Sequence, residues 1–150
     1  MTVQIEWIAM DENGLFSRLG PIYRGPVSDG FGRFRFHAED MHRNRLNHVH
    51  GGMLMAFADR GMGVTARQGD ATLAVATVQL DMHFIRTARI GKWVEMQCRV
   101  IRQTRSLIFV DATLESEEQV VATARGVWKS IGEGAAQASL SETHFTERNC

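Results

Sequence analysis

The chain has 150 residues, 44% hydrophobic and 23% charged, with 17 basic and 17 acidic side chains that cancel. That length suits one domain, and the composition excludes a disordered chain. No long basic run, no apolar run near the roughly 18 residues of a membrane span and no signal peptide is legible. A cytoplasmic protein without nucleic-acid or membrane partners is therefore expected. Of the two cysteines, Cys98 lies in a strand-like run and Cys150 is the last residue. Both read as reduced thiols.

The segment Thr2–Phe16 carries Val3, Ile5, Trp7, Ile8, Leu15 and Phe16, which reads as a short amphipathic helix broken at Asn13-Gly14. Two strands are expected at Pro21–Val27 and Gly32–His37, with turn chemistry in Gly25-Pro26 and Ser28-Asp29-Gly30. Gly51–Gln68 (GGMLMAFADRGMGVTARQ) is apolar nearly all round, so it predicts a buried helix near 25 Å long. Four strands follow at Ala74–Phe84, Lys92–Arg102, Leu107–Glu115 and Gln119–Ser130. Their short connections (TARIG, QTRS, SEEQ) predict an antiparallel meander. The small, polar stretch Gly132–Cys150 reads as a tail. The order β-β-α-β-β-β-β predicts an α+β fold, an antiparallel sheet around one hydrophobic helix.

A charge interrupts that helix. Asp59 sits between Phe57-Ala58 and Gly61-Met62. A buried carboxylate needs a partner or a task. It either pairs with Arg60 or Arg67 at a helix edge, or it is a catalytic group usable as base or nucleophile. His50-Gly51-Gly52 opens the helix. The two glycines make a tight turn or let a ligand approach free N–H groups, an arrangement able to hold an oxyanion. Asp59 follows His50 by two and a half turns, about 13 Å along the axis and on the opposite face. One helix cannot bring Asp59 to its own Gly51 amide, so a shared site requires two chains, and a homo-oligomer is expected. His42, His48 and His50 lack the Cys or second carboxylate of a familiar metal site, so no metal is expected.

The run Asn44-Arg45-Leu46-Asn47-His48-Val49-His50-Gly51-Gly52, with Asp59 after it, resembles the N-x-x-G-x-x-H-G-G-x(6)-D signature of hotdog-fold acyl-CoA thioesterases. The similarity is to the phenylacetate-degradation (PaaI-like) and thioesterase-superfamily branch. Ala76–Phe84 resembles the family strand after the helix, and Thr87-Ala88-Arg89-Ile90-Gly91 its P-A-x-x-G turn. The likeness spans roughly residues 20 to 131 of a single domain.

The resemblance implies roles. Asp59 would activate water or attack the thioester carbonyl directly. The Gly51 amide would polarise that carbonyl, helped by Asn44. His50 would lie near the thiol leaving group, and Thr77 would orient the water. Gly52 and Phe84 would meet the acyl-CoA substrate. CoA carries phosphates, so Arg86 and Arg89, like Lys92, Arg102 and Arg105 at strand ends or turns, read either as its contacts or as solvated turn charges. No cofactor is implied, and the assembly would be a homodimer or homotetramer. Thioester hydrolysis asks for a nucleophile and an oxyanion donor, since the thiolate already leaves easily.

The chain departs from the signature where Asn47 replaces a glycine, a site that suits Asn because it tolerates left-handed backbone. Gln79 stands where some relatives carry an acid, and Arg60 is placed to pair with Asp59 and weaken it as a base. Met53, Leu54, Met55 and Phe57 read as core or as acyl pocket. A non-catalytic acyl-CoA or small-ligand binding module on the same scaffold is the alternative. A hotdog hydratase or dehydratase is disfavoured by the lack of a D-x-N-x-x-H run.

Overall fold

The computed structural model describes residues 4–132. Seven strands form one antiparallel sheet in the order β1-β2-β3-β5-β6-β7-β4, and one long helix packs on a single face of it. The strands are β1 (Ile8–Ala9), β2 (Tyr23–Ser28), β3 (Phe31–His37), β4 (Val75–Phe84), β5 (Trp93–Gln103), β6 (Leu107–Ser116) and β7 (Gln119–Ser130). The helices are α1 (Leu15–Leu19) and α2 (Gly51–Ala66). This is the expected α+β hotdog arrangement.

Period-two patterning explains the sheet. Along β6 the even-numbered residues Ile108, Val110, Ala112, Leu114 and Ser116 are buried, while their odd-numbered neighbours stay partly open. β2 and β3 join through Asp29 and Gly30, both at positive φ (51° and 76°), the two-residue turn whose twist suits a hairpin. Phe34, Phe36, Phe57, Met62, Met96 and Trp128 fill the space between sheet and helix. Gly61 of α2 and Gly32 of β3 allow the close approach. A Cβ on Gly61 would lie 2.8 Å from the Phe34 ring, and one on Gly32 only 2.3 Å from Thr65 Oγ1. Cys98 is a buried free thiol, as expected, and desolvation pushes its pKa up to about 12.

Three expectations need correction. The first is the N-terminal helix over Thr2–Phe16. Its described part is extended and pairs Ile8–Ala9 with β2, and the helix forms only after Gly14, as α1. Ile5 and Trp7 alternate with exposed Glu6, and Trp7 stacks on the Arg35 guanidinium 4.4 Å from its ring centroid. Their spacing of two is a strand period.

The second correction concerns the four-strand meander, of which only β5-β6-β7 is real. β4 pairs with β7 at the sheet edge, while β5 pairs with β3. The connection after β4 is tied to other loops rather than folded as a hairpin. The Val49 N–H donates to Ala88 O at 2.9 Å, and the Gly91 N–H to Ala38 O at 2.7 Å. It crosses the end of the sheet, with its own Ala88 buried.

The third correction is that α2 is not covered all round. Met55 is 37% exposed, and Gly52 and Asp59 on the same stripe are not fully buried. The sheet lies against only one side of the helix. The expected tail falls outside the described residues after Gly132, and Cys150 with it. No helix among the described residues is long and apolar enough to cross a membrane.

Candidate active site

The loop before α2 is built by side-chain capping. Asn44 Oδ1 accepts the N–H groups of Leu46 (2.8 Å) and His48 (3.2 Å), which closes a tight turn. Both hydrogen bonds use the carbonyl oxygen, so the Asn44 amide NH2 remains as its donor end. Asn47 takes φ 60°, as expected of the residue that replaces glycine. The His50 N–H donates to His42 O at 2.7 Å, and His42 itself is a loop staple. Its Nδ1 accepts the Glu39 N–H at 2.9 Å, and its Nε2 donates to Leu19 O at 2.5 Å. His42 is therefore structural, and among the described residues no His, Cys, Asp or Glu cluster could hold a metal.

His50 caps α2. Its Nδ1 accepts the Gly52 N–H at 2.8 Å, which leaves the ring proton on Nε2. The Gly52 N–H is thus already used. Gly51 is the first helical residue, so its N–H has no carbonyl within the helix to bond and points out of the helix end. Phe84 lies over this end: a Cβ on Gly51 would come 3.2 Å from its ring. Asn44, Gly51, Leu54, Phe84 and Arg86 line one recess of about 290 Å3. The expected oxyanion donors and two expected substrate contacts meet there.

Asp59 and Thr77 meet elsewhere. Thr77 Oγ1 donates to Asp59 Oδ1 at 2.6 Å, across 18 residues of sequence. The register of β4 against β7 slips between Thr77 and Gln79, so Val78 is a bulge residue beside the site. Asp59 and Thr77 open onto a cavity of about 450 Å3, whose walls include Gly63, Leu73, Trp128 and Ile131. Asp59 and Gly51 are eight residues apart, about 12 Å along the helix axis. Their two recesses share no lining residue.

The suspected pairing of Asp59 with Arg60 does not form. Arg60 Nε donates to both Glu12 carboxylate oxygens, at 2.9 and 3.1 Å, and Glu12 is almost fully buried by the contact. Arg67 makes no ion pair with Asp59 among the described residues. Gln79 turns away from the cavity and donates to Asp81 at 2.7 Å. Arg89 is bidentate on Glu117, and Lys92 stands 3.6 Å from the same carboxylate. Arg89 holds the Glu117 carboxyl below its usual pKa. Arg86 has no ion pair among the described residues. The Glu12–Arg60 contact and the Trp128 wall were not legible in the sequence, because both depend on segments far from the motif.

A sequence model of the thioesterase superfamily matches residues 46–123, from the turn before α2 into β7. The chain is 35% identical over 91 residues to a candidate esterase of Pseudomonas aeruginosa, which covers 60% of this chain and 68% of that protein. The PaaI protein of the phenylacetic acid degradation operon of Escherichia coli superposes with a TM-score of 0.70 at 21% identity, over 75% of this chain and 80% of that one. A Streptococcus mutans protein solved with bound acetyl-CoA superposes with a TM-score of 0.68 at 19% identity, over 73% and 88%. The two structural likenesses establish the fold. With the family match running over more than half of the chain, through α2 and strands β4 to β6, they identify the chain as a hotdog-fold member of the thioesterase superfamily.

Proposed function

We propose that the protein hydrolyses an acyl-CoA thioester, with an aryl or medium-chain acyl group, to the free acid and CoA, as a PaaI-like member of its family. The observation that carries this is the Thr77–Asp59 hydrogen bond at 2.6 Å inside an open cavity, with Arg60 held away by Glu12. A carboxylate with no cation on it can take a proton or attack.

In this reading Asp59 accepts a proton from a water held by Thr77, and that water adds to the thioester carbonyl. Alternatively, Asp59 attacks the carbonyl and water then opens the anhydride. Negative charge gathers on the carbonyl oxygen, where the Gly51 N–H and the Asn44 amide donate to it. The intermediate collapses by breaking the C–S bond. The thiolate leaves toward His50, whose Nε2–H is free to donate. Phe84, Arg86 and Arg89 would flank the CoA arm. Gly52 would contribute only close approach, since its N–H is spent on His50.

The two halves must come from two chains, because one helix holds them about 12 Å apart. A homodimer, and a homotetramer built from it, fits the surface left open. Met55 on α2 is part-exposed, and Val78 (59%) and Phe84 (53%) are exposed on the edge strand β4.

Thiol release tests the reading, with phenylacetyl-, hydroxyphenylacetyl-, benzoyl- and straight-chain acyl-CoAs on wild type and Asp59→Asn. Turnover should fall by about a thousandfold in the variant while acyl-CoA binding persists. A wild type that binds acyl-CoA and releases no thiol would instead be a binding module. A variant as fast as wild type would remove Asp59 from the chemistry.

A further inference from the structure

The cavity onto which Asp59 and Thr77 open is also lined by a second arginine, Arg67. Leu73, Val75, Trp128 and Ile131 give it apolar walls. Arg67 is the C-cap residue of α2 and is partly buried. The carboxylates near it are engaged by others. Both Glu12 oxygens accept from Arg60 Nε, and Asp70 accepts the N–H and hydroxyl of Thr72 at 2.9 and 2.7 Å. Among the described residues Arg67 makes no ion pair. Its pKa is lowered by burial first and by Arg60 second, against the opposing pull of Glu12 and Asp70. A partly desolvated cation that no carboxylate contacts directly favours an anion supplied from outside.

We propose that Arg67 binds a carboxylate at the far end of the acyl group, so that the preferred substrates are thioesters of dicarboxylic acids. This rests on the hydrolase reading above. Eight residues of helix separate Asp59 from Arg67, about 12 Å along the axis, and the long arginine side chain shortens that gap. A medium-length acyl chain would reach from the carbonyl at Asp59, past Trp128, to the guanidinium.

N-acetylcysteamine thioesters test this, because they carry no phosphate. Wild type should favour adipyl over hexanoyl thioester by about tenfold in kcat/KM. The ratio should fall to about one in Arg67→Gln and return in part in Arg67→Lys. A wild type that shows no preference would overturn the proposal and leave the hydrolase reading standing. So would a loss in Arg67→Gln that appears equally on adipyl- and hexanoyl-CoA but not on the N-acetylcysteamine esters, since Arg67 would then meet a CoA phosphate. If no thioester is hydrolysed, calorimetric titration with adipate and hexanoate decides. Adipate binding that is lost in Arg67→Gln would keep the anion site and discard the hydrolase, and equal or absent binding of both acids would discard the anion site as well.

Discussion

At Thr77 a single hydroxyl separates two outcomes. Its 2.6 Å hydrogen bond to Asp59 fixes the carboxylate and leaves the hydroxyl oxygen free to accept from a water. Thr77→Val keeps the shape and removes both functions, so kcat should fall about ten- to a hundredfold with little change in KM. Thr77→Ser keeps the hydroxyl and should stay within a fewfold of wild type. Equal rates for the Val and Ser variants in thiol release would show that the hydrogen bond serves only the fold. Asp59 stood out in the sequence because a charge in an apolar helix is conspicuous. The fate of Arg60 was not. Adjacent residues on a helix point about 100° apart and do not face each other, so the neighbour in sequence is a poor guess for an ion partner. The actual partner, Glu12, sits 48 residues away on a segment that no motif marks.

Among the elements, α2 was legible from composition and its start from His50-Gly51-Gly52, while the placing of β4 was not. Short polar connections suggest hairpins, but the one after β4 is held by Ala38, Val49 and Val121 across the end of the sheet, and no local pattern records that. The contact of helix with sheet also depends on non-local fit. At Gly61 a Cβ would come 2.3 Å from the Met96 methyl, which can swing away, and 2.8 Å from the Phe34 ring, which is fully buried. Alanine has the better helix propensity by about 1 kcal/mol, yet overpacking a core costs about 1–3 kcal/mol. Gly61→Ala should therefore lower stability by about 1 kcal/mol, and by no more than about 2, seen as a lower urea midpoint at unchanged m-value. A raised midpoint would mean that the helix and the Phe34 ring separate more easily than this packing allows.

For the whole molecule, the separation of the two recesses has the most consequence. One chain carries Asn44 and Gly51 before and at the start of α2, and Asp59, about two turns along that helix, beside Thr77 of β4. If each site joins the first half of one subunit to the second half of its partner, two inactive variants should complement. Asn44→Ala removes an oxyanion donor and should cost about a hundredfold, while Asp59→Asn removes the base. In a mixed dimer both lesions fall in one site, and the other site is intact. Random re-association makes half of the dimers mixed, each with one working site of two. The mixture should therefore recover about a quarter of wild-type turnover. Pairing with two different affinity tags would isolate the mixed dimers and raise that to about half. Isolated mixed dimers no more active than their parents would show that each chain closes its own site, by a movement of α2 or β4 that this arrangement does not contain.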